Sequence, residues 1–363
     1  SQQRKNMKNI IKTVIVMLTS ISLFGSANAG ELTVNGTAKA TYNILSGKTN
    51  TGKGLGITNE LNFTAAGELD NGYTWSYSME LDPDAVSSGT NGTAENDDSK
   101  LTLTTPMGTV GVFISEGGLD VEDAASQSVY GRPTDIGDPS SGDGDNFTID
   151  AYNNVQYHMP ADMLPFGIVG KIAYAPDLDS DKNSGDAKGN GITETQTGNG
   201  RSATEIQVKA APLDGLEIGA SHMEFDSSGV NGTALNQSPE SGAYYATYAT
   251  GPFSIGYSKA FKAPISVNAD LANATTVDYY EQTNISVAYA ATDDLSISYE
   301  KEEDQKNFQN ESTATVEQES TSIQVAYTMG GMTLAVAHGS YDNVNWVDGD
   351  EVDQMLFAVT MAF

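Results

Sequence analysis

The side chains of this sequence that could do chemistry are three histidines, the serines near two of them, and carboxylates in quantity. Ser221 adjoins His222, and Ser340 lies two residues past His338, so a nucleophile and base can be drawn for hydrolysis at either place, while His158 stands alone. Serine is so common here that these pairings carry little weight, and no enzymatic activity is expected. The absence of cysteine excludes thiol catalysis, Cys zinc sites and disulfides. In DLDSDKNSGD, Asp177, Asp179, Asp181 and Asn183 alternate as the ligands of a calcium loop do. The glycine falls at Gly185, out of EF-hand register, and no Glu completes the twelve-residue spacing, so a polar turn is the stronger reading. No cofactor is expected, with divalent cations such as calcium at acidic loops as the one open exception.

Charge narrows the partners. Against 48 Asp and Glu stand 18 Lys and Arg, a net of -30, whereas a nucleic-acid backbone is bound by clustered cations. Arg4, Lys5, Lys8 and Lys12 precede the apolar run Thr13 to Phe24, and small residues at Ala27 and Ala29 place a cleavage before Gly30, so residues 1–29 read as a secretory signal peptide. Met7 reads as the natural start, with residues 1–6 upstream of it. The remainder would carry 14 basic against the same 48 acidic residues. It contains no apolar run of the ~20 residues that a membrane helix needs.

What positions these residues is a period of two. Sixteen segments alternate apolar with polar or small residues: 31–43, 57–69, 72–82, 99–105, 108–115, 148–158, 167–175, 203–211, 214–225, 243–250, 252–261, 278–290, 294–303, 318–328, 332–340 and 353–363. Every other connection is a tight turn, such as Asp70-Asn71, Pro106-Met107 or Met329-Gly330-Gly331. Between these lie long polar loops, among them 83–98, 116–147, 176–202 and 304–317. Tyr73, Trp75, Tyr77, Met79 and Leu81 share one face, opposite Thr74, Ser76, Ser78, Glu80 and Asp82. Met355, Phe357, Val359, Met361 and Phe363 face away from Leu356, Ala358, Thr360 and Ala362. An apolar face rich in aromatics at strand ends, repeated sixteen times in one chain, suits lipid. There every backbone group must be paired, so the sheet has to close, bringing 31–43 beside 353–363. The predicted fold is an all-β transmembrane antiparallel barrel of sixteen strands over 30–363.

At this point the chain resembles the general diffusion porins of Gram-negative outer membranes, nearest to the alphaproteobacterial type. The joint pattern of signal peptide, sixteen segments, short turns, an early longest loop and a terminal Phe carries the resemblance. It implies a homotrimer in the outer membrane with short periplasmic turns and long extracellular loops. It also implies contacts with outer-membrane lipid and lipopolysaccharide, recognition of the last strand by the barrel assembly machinery, and passive diffusion of ions and small hydrophilic solutes. In that family the third long loop folds into the lumen, which assigns the constriction to 116–147. Glu116, Asp120, Glu122, Asp123, Asp135 and Asp138 would line it, with Arg132 as its lone cation and Asp120 capping a short helix. The Pro-Glu-Phe-Gly-Gly motif of enteric porins is absent. Strand parity puts Lys39, Glu60, Glu80, Asp82, Lys100, Lys171, Glu205 and Lys209 on the pore wall, and the excess of acids predicts a cation-preferring pore. A substrate-selective channel for sugars, amino acids or another nutrient is the alternative, and a structural or adhesive barrel a further one.

Overall fold

The computed structural model describes residues 30, 32–48, 50–83, 94–136, 145–176, 178, 202–226, 229–230, 233–266 and 275–363. Its strands are β1 (Leu32–Gly47), β2 (Gly52–Glu68), β3 (Thr74–Pro83), β4 (Ala94–Thr105), β5 (Gly108–Ile114), β6 (Asn154–His158), β7 (Val169–Ala175), β8 (Ser202–Leu213) and β9 (Leu216–Asp226). After a two-residue-per-strand hairpin, β10 (Gly229–Val230) and β11 (Thr233–Ala234), follow β12 (Glu240–Thr250), β13 (Phe253–Ala263), β14 (Val277–Ala290), β15 (Leu295–Phe308), β16 (Glu317–Met329), β17 (Met332–Asp342) and β18 (Glu351–Ala362). All except the β10–β11 hairpin form one closed antiparallel barrel of sixteen strands in which sequence neighbours are spatial neighbours. The first and last strands close it: Lys39 pairs with Thr360, Gly36 N donates to Phe363 O at 2.8 Å, and Phe363 N returns a bond to Gly36 O at 3.0 Å. No sheet edge is left for lipid to meet.

Alternation sorts the side chains. Ile255, Tyr257, Ile285, Val287, Ile297, Tyr299, Ile323, Val325, Val336 and Phe357 are exposed on the outer wall. The register sets Ile255 beside Val287 and Tyr257 beside Ile285, so these side chains make a continuous apolar belt. In water such a belt would be an aggregation surface; in hydrocarbon each of these side chains gains about 1.5–3 kcal/mol. Aromatic pairs sit in it, Phe253 with Tyr289 at 4.8 Å and Tyr42 with Phe357 at 6.5 Å between ring centroids. Past Tyr299 the outer face turns ionic: Lys301 bonds Glu303 and Glu319 at 2.7 Å each, and Lys259 bonds Glu281 at 2.9 Å. Those pairs mark the end of the belt toward the long loops. Among the described residues no helix is long and apolar enough to cross a membrane.

Four boundaries lie five or more residues from expectation; β4 begins at Ala94 where 99 was expected, and the other three have local reasons. Strand β2 begins at Gly52, where 57 was expected, so the connection from β1 shrinks to 48–51; the glycines of GKGLG leave its inward face bare, and a Cβ on Gly52 or Gly54 would meet nothing within 4 Å. Residues 148–153, expected to start the sixth strand, belong to the loop, with a single 3-10 turn at Ile149–Ala151. Strand β15 runs on to Phe308 although DQKNF, 304–308, reads as the start of a loop, because the acids of this stretch alternate between the outer ion pairs and the lumen.

Candidate functional site

The loop that leaves β5 turns inward. Its outgoing limb, 116–136, runs along the inner wall and its returning limb, 145–153, comes back to β6. At the base, Lys100 Nζ holds Glu116 at 2.6 Å and Asn154 Nδ2 donates to Glu116 O at 3.1 Å. From there the backbone of the loop is read, strand after strand, by inward polar side chains. Leu119 N donates to Glu205 (β8) at 3.2 Å, Val121 N to Ser221 (β9) at 3.1 Å and Phe147 N to Ser241 (β12) at 3.1 Å. Ser258 (β13) donates to Glu122 O at 3.0 Å, while Gln127 N reaches Ser286 (β14) and Val129 N reaches Ser298 (β15), both at 3.0 Å. Tyr130 N donates to Gln324 (β16) at 2.9 Å, Tyr341 (β17) donates to Pro133 O at 2.6 Å, and Gln354 (β18) donates to Ile136 O. The loop thus behaves as an inner ribbon tied to consecutive strands from β8 around to β18.

Between these ties the loop buries apolar side chains on small ones. Val121 and Ala125 pack on Ala243, Tyr245 and Ala260; Ile136 packs on Ala326, Ala335, Ala337, Leu356 and Ala358; Leu119 and Ile149 pack with Ala173, Ala203, Met223 and Tyr152. The inward alanines are therefore seats for the ribbon, as is Gly256, where a Cβ would stand 1.7 Å from Ala125 O. Gly256→Ala is expected to lift the 3-10 turn Glu122–Ala125 off the wall. Protease cleavage within the loop should increase while the folded barrel persists; cleavage no faster than in the parent would show that the wall yields instead.

Electrostatically the centre of the site is Arg132, only 5% exposed. Its Nε lies 2.7 Å from Glu302 of β15, its guanidinium pairs with Asp123 and stands 3.6 Å from Glu122, and it reaches Asp135 at 3.8 Å and Asp145 of the returning limb at 3.7 Å. One cation thus joins both limbs to the wall. Burial lowers the proton affinity of the guanidinium, but Glu302, Glu122, Asp135 and Asp145 together more than reverse this, so its pKa is raised and it stays charged. Burial, only partly offset by Arg132, holds the Glu122 carboxyl well above the usual range, and burial likewise raises Asp135, Asp145 and Asp150. Asp120, Glu122, Asp123, Asp135, Asp145 and Asp150 surround a cleft of about 340 Å³ between the limbs.

The expected site residues fall into groups. Asp120, Glu122, Asp123, Arg132 and Asp135 come together, with Asp145 and Asp150 as members that sequence reading missed. Arg132 is a buried strap, because its fork is consumed by carboxylates on three sides, and Glu122 is 4% exposed for the same reason, so neither lines the passage freely. Glu116 is neutralised at the loop base by Lys100. The expected helix is a single 3-10 turn with Val121 at its cap position and no side-chain cap bond there; Asp120 instead takes Glu122 N at 2.8 Å. Asp138 and Asp177–Asp186, apart from Leu178, lie outside the described residues. So does the side chain of Asp82. On the wall, Lys39 stands 5.7 Å from the Tyr130 ring of the loop, Lys209 stands 5.5 Å from the Tyr245 ring, and Lys171 pairs in register with His158. Glu60 pairs with Thr37 and Glu80 with Asn62, both on the inward parity. Glu205 is fully buried under the loop, accepting from Leu119 N and, at 2.9 Å, from Ile149 N, so it anchors the loop where a pore-lining charge had been expected. Ser221 faces inward and is tied to Asp120, whereas the alternation puts its neighbour His222 on the outer face against Phe261. His338 and Ser340 share that outer face, where His338 pairs with exposed Ile323. Among the described residues no group of three His, Asp or Glu side chains could hold a metal ion.

A closed sixteen-stranded barrel with an apolar outer belt, a polar lumen and an inward-folded loop is a transmembrane pore. The model of the Gram-negative porin family matches residues 14–363, so the chain belongs to that family and is a channel of the outer membrane. Among solved structures it is similar to OmpF of Salmonella typhi in complex with daunomycin, at 12% identity and a TM-score of 0.64 over 92% of this chain and 98% of that one. It is also similar to OmpT, an outer-membrane protein of Vibrio cholerae, at 11% identity and a TM-score of 0.60 over 93% and 99%. A mutant of the Rh. blastica porin matches at 14% identity and a TM-score of 0.55 over 92% and 100%. No sequence among the curated proteins matches the chain.

Proposed function

We propose that the chain is a general diffusion porin whose lumen passes ions and small hydrophilic solutes and prefers cations. The observation that carries this reading is the charge of the cleft: six carboxylates surround it with Arg132 as the one cation of its lining, and that cation is already committed to Glu302. In a confined, weakly polarisable passage such an excess stabilises counter-ions and excludes anions. Lys39, Lys100, Lys171 and Lys209 on the opposite wall moderate the preference without reversing it, since Lys100 is paired with Glu116.

The same reading makes the assembly a homotrimer, exported by the leader 1–29, with the short turns periplasmic and the long loops outside. The ionic pairs above the belt would then stand at the level of lipopolysaccharide head groups, and the strand ending in Phe363 would be the one that the barrel assembly machinery reads. A substrate-selective channel is the second reading; the lumen aromatics Phe113 and Tyr245 are only 4% and 2% exposed and so offer no open platform for a sugar. Reconstituted in a planar bilayer, the protein should give ohmic steps grouped in threes and a cation-signed reversal potential across a potassium chloride gradient. A zero or anion-signed potential would refute the preference, and ungrouped steps would refute the trimer.

A further inference from the structure

We infer that the mouth of the pore on the long-loop side carries a capture site for aromatic solutes bearing a carboxylate, formed by Trp346, Tyr280 and Lys306. The site lies apart from the cleft of the constriction loop, and the inference holds for a diffusion channel of either charge preference. The loop between β17 and β18, residues 343–350, bends inward over the ends of β16 and β15. Asn345 N donates to Gln318 (β16) at 2.9 Å, and Trp346 Nε1 donates to Asp304 O (β15) at 3.2 Å. The indole comes to rest beside Tyr280 of β14, with ring centroids 5.3 Å apart and planes inclined at 46°. Lys306, on the inward parity of β15 and paired in register with Tyr280, places Nζ 5.0 Å from the Trp346 ring centroid and 5.7 Å from that of Tyr280.

Two features go beyond packing. The first is the ammonium. Lys100, Lys259 and Lys301 are each held by a carboxylate at 2.9 Å or less, whereas Lys306 is held among the described residues by ring faces alone. Ring faces attract its charge but leave its N–H donors without an oxygen acceptor. The second is the backbone. Trp346 has φ 57°, and Asn343 and Asn345 have φ 56° each, a region that a bulky side chain such as indole occupies only where its surroundings enforce it. Here they do: Val344 is buried against Tyr341 and Val352, Asn343 Nδ2 donates to Glu317 O at 2.8 Å, and Gly349 N donates to Asn343 Oδ1 at 3.0 Å. The strained backbone aims the indole inward. Tyr280, 8% exposed, forms the floor, and Trp346 is a half-buried wall with part of its surface open to the mouth.

The chemistry of the three side chains selects the ligand. The ammonium lacks an anion, and carboxylate oxygens accept short, charge-assisted bonds from it. The open indole surface suits a flat apolar ring stacked on it. A small carboxylate such as acetate answers only the first demand and a neutral aromatic only the second, while an aromatic ammonium would meet the like charge of Lys306. Benzoate answers both.

The test follows the fluorescence of Trp346 in the folded full-length protein, with Trp75→Phe removing the other tryptophan, which lies in β3 on the outer wall. Benzoate should give a saturable change, half complete at a concentration at least about tenfold below that needed for acetate, benzyl alcohol or benzylammonium. Lys306→Gln should erase the advantage of benzoate over benzyl alcohol, and Lys306→Arg should keep most of it, both with unchanged heat-modifiable migration of the barrel. In planar bilayers benzoate should interrupt the parent current transiently, and Trp346→Leu should remove the interruptions. A response to benzoate no stronger than to acetate and benzyl alcohol would overturn the site and leave the three side chains as a pin for the loop. A stronger response to benzylammonium, or an undiminished benzoate advantage in Lys306→Gln, would overturn the pairing of the carboxylate with Lys306.

Discussion

Arg132→Gln should open the channel without unfolding the barrel. Arg132 is the group on which the outgoing limb, the returning limb and the β15 wall meet, through Glu122, Asp123, Asp145 and Glu302. Glu302 is fully buried, and removing one partner of a buried pair costs about 3–5 kcal/mol, because the remaining charge has lost its counter-ion without regaining water. That cost falls on the loop. The barrel is held by sixteen ladders of backbone bonds that close on themselves, none of which involves the loop. The expected result is therefore a larger and noisier single-channel conductance, a stronger cation preference because the acids have lost their internal cation, and unchanged heat-modifiable migration of the folded barrel on a gel. Arg132→Lys should restore only part of the parent behaviour, since an ammonium cannot engage Glu302 through Nε while turning its other nitrogens toward Asp123 and Asp145. Unaltered conductance in the glutamine variant would mean that the backbone ties to Ser221, Ser286, Ser298 and Gln324 hold the loop unaided.

Much of the barrel was legible because its physics is local. Lipid on one side and water on the other impose a two-residue period on every strand, and the period survives in sequences as different as TWSYSMEL and QMLFAVTM. Strand ends were less legible. Whether 304–308 is strand or loop depends on what stands opposite, and the loop packed over Glu300 and Glu302 cannot be seen in β15 alone. The acids of the inward loop that come together around the cleft were legible as a group, but the contacts each one makes were not. Glu205 looks in sequence like any other inward acid; in space it bonds two loop amides. The inward serines, glutamines and alanines were invisible as functional residues, because a polar or small residue on a lumen parity is what a water-filled pore would also show. A signal existed in β14 to β16. Gln282, Asn284, Ser286, Ser298, Gln318, Ser320, Ser322 and Gln324 form a wall of uncharged hydrogen-bonding side chains around the inward acids Glu300, Glu302 and Asp304, which suits a protein backbone.

Cation preference should fade on acidification at a pH above the ordinary carboxylate range of about 4. The sign follows from burial. Taking a carboxyl out of water disfavours its charged form, so its pKa rises and it takes up a proton at a pH where an exposed acid is still ionised. Burial is the leading cause of the raised pKa of Glu122, Asp135, Asp145 and Asp150, and Arg132 only partly opposes it at the first three. As the pH falls from 7 toward that ordinary range, these groups would take up protons first. Reversal potentials measured in that window should thus move toward zero well before the channel loses structure. Asp145→Asn should lower the starting preference and flatten the curve, because the charge that titrates has been removed in advance. A preference that holds down to pH 4 in the parent would place the selectivity on the exposed wall acids and take it away from the cleft.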